Sequence, residues 1–370
     1  FIPKPVDPRL ITVVSAAVAK AAMDSGVART PIKDFDAYKD RLMQMLGQET
    51  KLTRYLHATA ARHPQRVVFA EGVHQNMLKA AVQAKQEGIC QPILLGHPDR
   101  IKRIANRLKL DLNGIELIDM RADKEQRRRA NYAKHLAEKR AREGYTFDEA
   151  YDKMYERNYF GMAMVESGDA DTMITGLYTK YSDTIKIAKD VIGIRPEYKH
   201  FGTMHILNTK RGIYYIADTL INRMPNAEAL VDITRLAHHS VKFFNDDPVM
   251  AMVSFSNFGS DEGGSPQQVR EALAITQETH PDWLIDGEMQ INFALDKKLR
   301  DEKYPFTRLK GKSVNTLIFP NLASANSAYK LLQGFSPETE VIGPIQMGLN
   351  KPIHFTDFEC SVRDIVNITA

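Results

Sequence analysis

From Arg66 onward the chain alternates short apolar runs with segments of helical length, and this alternation restricts the fold more than any other feature of its 370 residues. The run VVFA is followed by a helical pattern from about Asn76 to Gln86, then by Gly88 and a second apolar run, PILLG. The alternation returns at TMITG before a helix over 183–190, at HILNT and IYYIAD, and at VMAMVSFS before a helix over 266–279. It closes with WLIDG and with VNTLIFP before a helix over 323–334. Strands and helices in this order predict an α/β fold: three layers, with mostly parallel sheets covered on both faces. The charged stretch between Asp99 and Asn158, with Arg127, Arg128, Arg129, Lys139, Arg140 and Arg142, reads as helices with solvated faces.

The first 64 residues have a different texture. Asp7 and Pro8 form an N-cap and first-turn pair, apolar residues recur at Leu10, Val13, Val14, Ala17, Val18 and Ala21, and Gly26 follows as a C′ residue. The spacing predicts one amphipathic helix of about 18 residues. Beyond it, Pro31 and a charge-mixed segment with Tyr38, Leu42, Met45 and Leu46 at helical spacing read as a helical linker. The apolar stretch Leu10 to Met23 is interrupted by Lys20 and is shorter than the roughly 20 residues of a membrane span. It follows Asp7-Pro8-Arg9 rather than a basic segment, which argues against a secretory signal; the opening at Phe1 reads as a cut through a longer polypeptide.

Composition removes several partner classes. A net charge of +4 is too mild at this length to predict nucleic acid or membrane as the partner, and the Arg127–Arg129 cluster has no interleaved aromatics. Cys90 and Cys360 are the only cysteines and lack metal or disulfide spacing, so a reducing cytoplasm fits best. No G-x-G-x-x-G follows a strand, which places any nicotinamide site upstream. Gly311-Lys312-Ser313 mimics the end of a P-loop, but Phe306 stands where the first glycine belongs and the triplet precedes a strand. His238-His239 has no ligand partner at metal spacing and reads as a pair explained by packing or surface exposure.

The segments SFSNFGS, LIDGEMQINFAL, LIFPNLASANSAYKLLQ, IGPIQMGLNKP and SVRDIVN follow one another in the C-terminal third. With FAEG, EKRAREGYTFDEA, SGDADTMITG, the SDT triplet at 182–184 and IADTLINRMP, this run resembles the phosphate acetyltransferase family from about residue 62 to the end. The head, FIPKPVDPRL followed by VAKAAMDSGVA, is similar to the end of the nucleotide-binding domain of bacterial malic enzymes that carry an appended acetyltransferase-like domain.

These resemblances imply a domain plan. Residues 1–26 would be the terminal helix of the malic-enzyme nucleotide-binding domain and 27–61 the linker. Residues 62–200 with 346–370 would form one subdomain and 201–345 a second, with a ligand cleft between them and dimerisation through the second. The family is expected to use two arginines, a serine–arginine pair in an SRGCS segment and a nearby aspartate. Here Asp357 falls on that serine, Phe358 on that arginine and Asp364 on the aspartate, whereas Arg140 matches one upstream arginine and Lys186 replaces the other.

Phenylalanine cannot grip phosphate as a guanidinium does, and a carboxylate at 357 repels a dianion. Lysine at 186 keeps the charge without the planar fork. The substitutions predict a catalytically silent domain that senses acetyl-CoA. Its candidate ligand residues are Arg140, Lys186, Lys180, Ser256, Asn257, Asn326, Asp357, Phe358 and Asp364, with Arg140, Lys186, Asp357 and Phe358 converging on the cleft. NADP and a divalent metal, Mg or Mn, would belong to the upstream malic domain. Two rival expectations are a weak acyltransferase with Asp364 as base, and a module that only builds the oligomer.

Overall fold

The structure is a computed structural model that describes residues 13–28, 30–32, 34, 35, 38, 42, 51–336 and 339–370. The chain divides into two compact units, Phe1–Thr59 and Ala60–Ala370. In the first, a helix over Ser15–Asp24 ends as the sequence predicts, with Gly26 at a φ of 73°. The N–H groups of Val27 and Ala28 both turn back to the Ala22 carbonyl at 3.0 Å, satisfying the helix end. The expected start at Asp7-Pro8 and the linker positions Met45 and Leu46 lie outside the described residues. Among the described residues a further helix covers Lys51–Arg62.

The second unit contains two sheets. The first is built from β1 (Gln65–Phe69), β2 (Cys90–Leu95), β3 (Glu116–Ile118), β4 (Thr172–Thr175) and, from the far end of the chain, β11 (Ile353–Phe355), in the order β11-β4-β1-β2-β3. Every pairing in it is parallel. Val67, Val68 and Phe69 are all buried, the continuous apolar strand of a sheet covered on both faces. One face packs around Leu95, Leu136, Phe160, Met173 and Phe355, and the other around Phe69, Leu78, Ile101 and Ile365.

The second sheet takes β5 (Gly202–Thr209), β6 (Gly212–Ala217), β7 (Met250–Val253), β8 (Ile285–Met289), β9 (Thr316–Ile318) and β10 (Glu340–Met347) in the order β10-β5-β6-β9-β7-β8. Here the expectation of parallel pairing holds for β6-β9, β9-β7 and β7-β8 only. HILNT and IYYIAD form a tight antiparallel hairpin, and β10 runs antiparallel to β5. A connection this short cannot supply the crossover that parallel neighbours require. The register of β10 slips between Ile342 and Ile345, around Pro344, which has no N–H to give to the ladder. The apolar runs at 250–253 and 316–318 supply Ala251, Val253 and Leu317 to a core completed by Leu309 and Tyr329.

Among the described residues no helix is long and apolar enough to cross a membrane, and no three His, Cys, Asp or Glu side chains group as metal ligands. Cys90 and Cys360 are free and buried. His238 stacks on Trp283 at 3.7 Å, whereas the exposed His239 has its Nδ1 2.8 Å from the Tyr198 hydroxyl.

Candidate functional site

Strands β1, β2 and β3 step to one side of the first sheet, whereas β4 and β11 add on the other side of β1. Chain order therefore reverses between β1 and β4. In open parallel sheets the crevice beyond the carboxyl ends of the strands at such a reversal is where ligands bind. Two residues past β1, Glu71 is fully buried. Its Oε1 lies 2.9 Å from Thr175 Oγ1 and accepts the Gly176 N–H at 3.1 Å, while Thr175 Oγ1 is also 2.8 Å from Asn158 Oδ1. Burial pushes the Glu71 carboxyl above its ordinary range, against the opposing pull of the Gly176 N–H and the Arg157 charge.

Gly176 sits at the closest approach of two loops. Its φ is 132°, and a Cβ there would collide with the Thr356 carbonyl. The Thr356 N–H donates to the Thr175 carbonyl at 2.7 Å, so the loops after β4 and β11 leave the sheet side by side. The first carries Lys180, the N-cap residue of the helix Tyr181–Val191; the second carries Asp357 and Phe358. Cys360 is buried beneath, with its thiol pushed up to about 12 by desolvation, which disfavours the thiolate. Phe358 is 72% exposed.

The second sheet contributes the carboxyl ends of β6 and β9. Asp218, directly after β6, accepts the Thr203 N–H at 2.9 Å and its hydroxyl at 2.6 Å. Thr219 Oγ1 lies 2.8 Å from His205 Nδ1, and the buried His205 ring stacks on Tyr329 at 4.1 Å. Burial, reinforced by the Lys330 charge, lowers His205 to about 3, so the imidazole is neutral at ordinary pH. Asn326, on the helix Leu322–Phe335, donates to the Thr219 carbonyl at 3.3 Å. One turn further on, Lys330 Nζ lies 3.6 Å from Asp357 Oδ2. From β10, Gln346 Nε2 donates to the Tyr181 hydroxyl at 2.9 Å, and burial holds that phenol well above its usual pKa. The two sheets thus meet along one line of polar groups: Tyr181 and Asp357 on one side, Gln346, Tyr329, Asn326 and Lys330 on the other.

Of the residues picked from sequence, Lys180, Asn326, Asp357 and Phe358 lie on this line or its loops. Asp364 is close by in the chain but already employed: its Oδ2 accepts the Ser361 N–H at 2.9 Å and hydroxyl at 2.8 Å, while the Asp364 N–H donates to Ser361 Oγ. This reciprocal cap starts the helix Val362–Thr369. Arg140 does not join Asp357. Its guanidinium donates to the Asp190 carbonyl at 2.7 Å, to the Lys189 carbonyl and to Glu143 at 2.7 Å, capping the C-terminal end of the helix whose first turn follows Lys180. Nine residues of helix separate Tyr181 from Asp190, about 13 Å along the axis. Lys186 lies between, exposed to solvent.

Ser256 and Asn257 stand after β7, two strand spacings or about 10 Å from β6. They brace their own loop: Ser256 Oγ donates to the fully buried Glu288 at 2.7 Å, and Asn257 Oδ1 accepts the Gln290 N–H at 2.8 Å. Lys330, Tyr181, Gln346 and Glu71 were missed from the sequence. Lys330 and Tyr181 sit on regular helical patterns, and nothing local marks them; for Glu71 the signal was available in FAEG, a carboxylate at the end of an apolar run.

The sequence profile described as Phosphate acetyl/butaryl transferase matches residues 51–370. The chain belongs to that family. The phosphotransacetylase of Streptococcus pyogenes superposes with a TM-score of 0.77 at 29% identity, covering 85% of this chain and 96% of that one. The phosphate acetyltransferase of Nitratidesulfovibrio vulgaris is 31% identical over 311 residues, 84% of this chain and 44% of the relative. The NADP-dependent malic enzyme of Escherichia coli (strain K12) is 37% identical over 374 residues, matching 100% of this chain and 49% of the relative. This family member therefore spans about half the length of the malic enzymes it matches, and its likeness to them includes the stretch ahead of residue 51 where the family profile is silent.

Proposed function

We propose that this chain is the regulatory acyl-CoA-binding region of an NADP-dependent malic enzyme and turns over little or no acetyl phosphate. The observation that carries the proposal is the pair at 357–358. At the point where the two sheets meet, this family member has a carboxylate engaged with Lys330 and an exposed phenyl ring, where phosphoryl chemistry calls for a hydroxyl and a guanidinium. The groups that remain suit recognition. Asn326 and Gln346 offer amides, Tyr181 a phenol, and Lys180 a cation for the phosphates of a coenzyme, while Phe358 gives an apolar surface to an acyl or pantetheine chain.

Proton transfer is poorly served. His205 is buried and neutral, and the Asp364 carboxylate is tied to Ser361 as a helix cap. In this proposal the malate, NADP and divalent-metal sites belong to the rest of the polypeptide, the compartment is cytoplasmic, and the chain pairs with a second copy through residues 201–345. Acetyl-CoA would then bias malate oxidative decarboxylation through its differential affinity for two states of the assembly.

The test uses the complete malic enzyme. Malate oxidation measured against acetyl-CoA concentration should show a saturable change in rate, and removing residues 62–370 should abolish that response. A rate indifferent to acetyl-CoA would contradict the regulatory role.

A further inference from the structure

We propose that Lys330 is the anion-binding cation of this cleft and that Asp357 is its resident counter-ion, a carboxylate that holds the position an inorganic phosphate or acyl phosphate would otherwise take. The inference deepens the proposed function and rests on its assignment of the cleft. Three observations lead to it.

The first is placement. Lys330 lies on the helix Leu322–Phe335, which follows β9 of the second sheet, and Asp357 on the loop after β11 of the first. Their 3.6 Å contact therefore ties the facing walls of the cleft together. The second is local charge. Lys330 feels Tyr329, Asp357 and Glu359; burial alone would lower its pKa, yet these neighbours carry it above its ordinary value, so it stays a cation. Two carboxylates, Asp357 and Glu359, act on the Lys330 ammonium, so an arriving dianion meets like charge beside the cation it needs. The third is accessibility. The two side chains keep 46% and 38% of their surface, so the pair stands in contact with solvent and the ammonium is within reach of a solute once its partner is neutralised.

The pair thus sets specificity. A phosphate must displace a tethered carboxylate whose local concentration far exceeds its own. A coenzyme A thioester brings an uncharged acyl end and can leave the pair in place.

Neutralising the carboxylate without changing its shape separates these ideas. Binding of inorganic phosphate and of acetyl-CoA is measured calorimetrically, at fixed ionic strength, on the 370-residue chain, on Asp357→Asn and on Asp357→Asn combined with Lys330→Ala; thermal melting confirms that each variant is folded. Asp357→Asn should bind phosphate about tenfold more tightly or better, the scale on which relief of a like-charge contact acts, and the added Lys330→Ala should remove that gain. No gain, or a gain that survives loss of Lys330, overturns the inference. The acetyl-CoA arm keeps the two levels apart: binding by the unsubstituted chain without a phosphate gain in Asp357→Asn overturns the counter-ion alone, whereas failure of the unsubstituted chain to bind acetyl-CoA overturns the assignment of the cleft.

Discussion

Gly176 shows how a single position holds the site together. At a φ of 132° and pressed against the Thr356 carbonyl, it admits no side chain, so Gly176→Ala is expected to cost at least about 2 kcal/mol in chemical denaturation. It should also displace the loop that carries Asp357. His205 gives a pH signature. An unfolded imidazole takes up a proton near 6.5, whereas the folded, buried ring resists until about 3. The unfolded chain therefore binds more protons in that window, and stability that is complete above 6.5 drains away as the pH falls toward 3. His354, lowered to about 4 by burial, acts in the same sense. Melting temperatures recorded from pH 7 to 4 should fall less steeply in His205→Gln than in the unsubstituted chain. At this scale the sequence was least informative. Arg140 looks the same on paper whether it grips a ligand or, as here, the last carbonyls of a neighbouring helix, because that choice depends on where residues 189 and 190 arrive after the chain has crossed the sheet.

Strand β11 makes the corresponding case for an element. Only three residues long, it closes the first sheet from the opposite end of the chain, with Phe355 fully buried and edge-on to Tyr181 at 5.5 Å. Phe355→Ala should cost about 3–5 kcal/mol, read from denaturant midpoints, and should weaken any ligand held between Tyr181 and Asp357 by loosening both. Most strands and helices after Arg66 were legible because short apolar runs and helical periodicity are local signals, but β3, only three residues long inside the charged stretch read as helices, and β11 were not. The antiparallel hairpin β5–β6 and the return of β10 beside β5 were not. The same apolar texture serves either direction, and the short loop after Thr209 was the one cue that could have decided it. The motif blocks from LIDGEMQINFAL to SVRDIVN singled out Asp357 and Phe358 only through the family resemblance; the structure sets both on the loop after β11.

For the molecule as a whole, we propose that a phosphate acetyltransferase framework is kept for binding while its phosphate chemistry is given up. The family match and the Asp357–Lys330 contact beside the exposed Phe358 make the ligand, not the fold, the quantity to measure. Calorimetric titration of the 370-residue chain with acetyl-CoA, run beside an assay for acetyl phosphate formation from acetyl-CoA and phosphate, tests it most directly. Saturable binding of acetyl-CoA with no turnover above background is the predicted result; efficient acetyl phosphate formation, or no binding of acetyl-CoA, would contradict it.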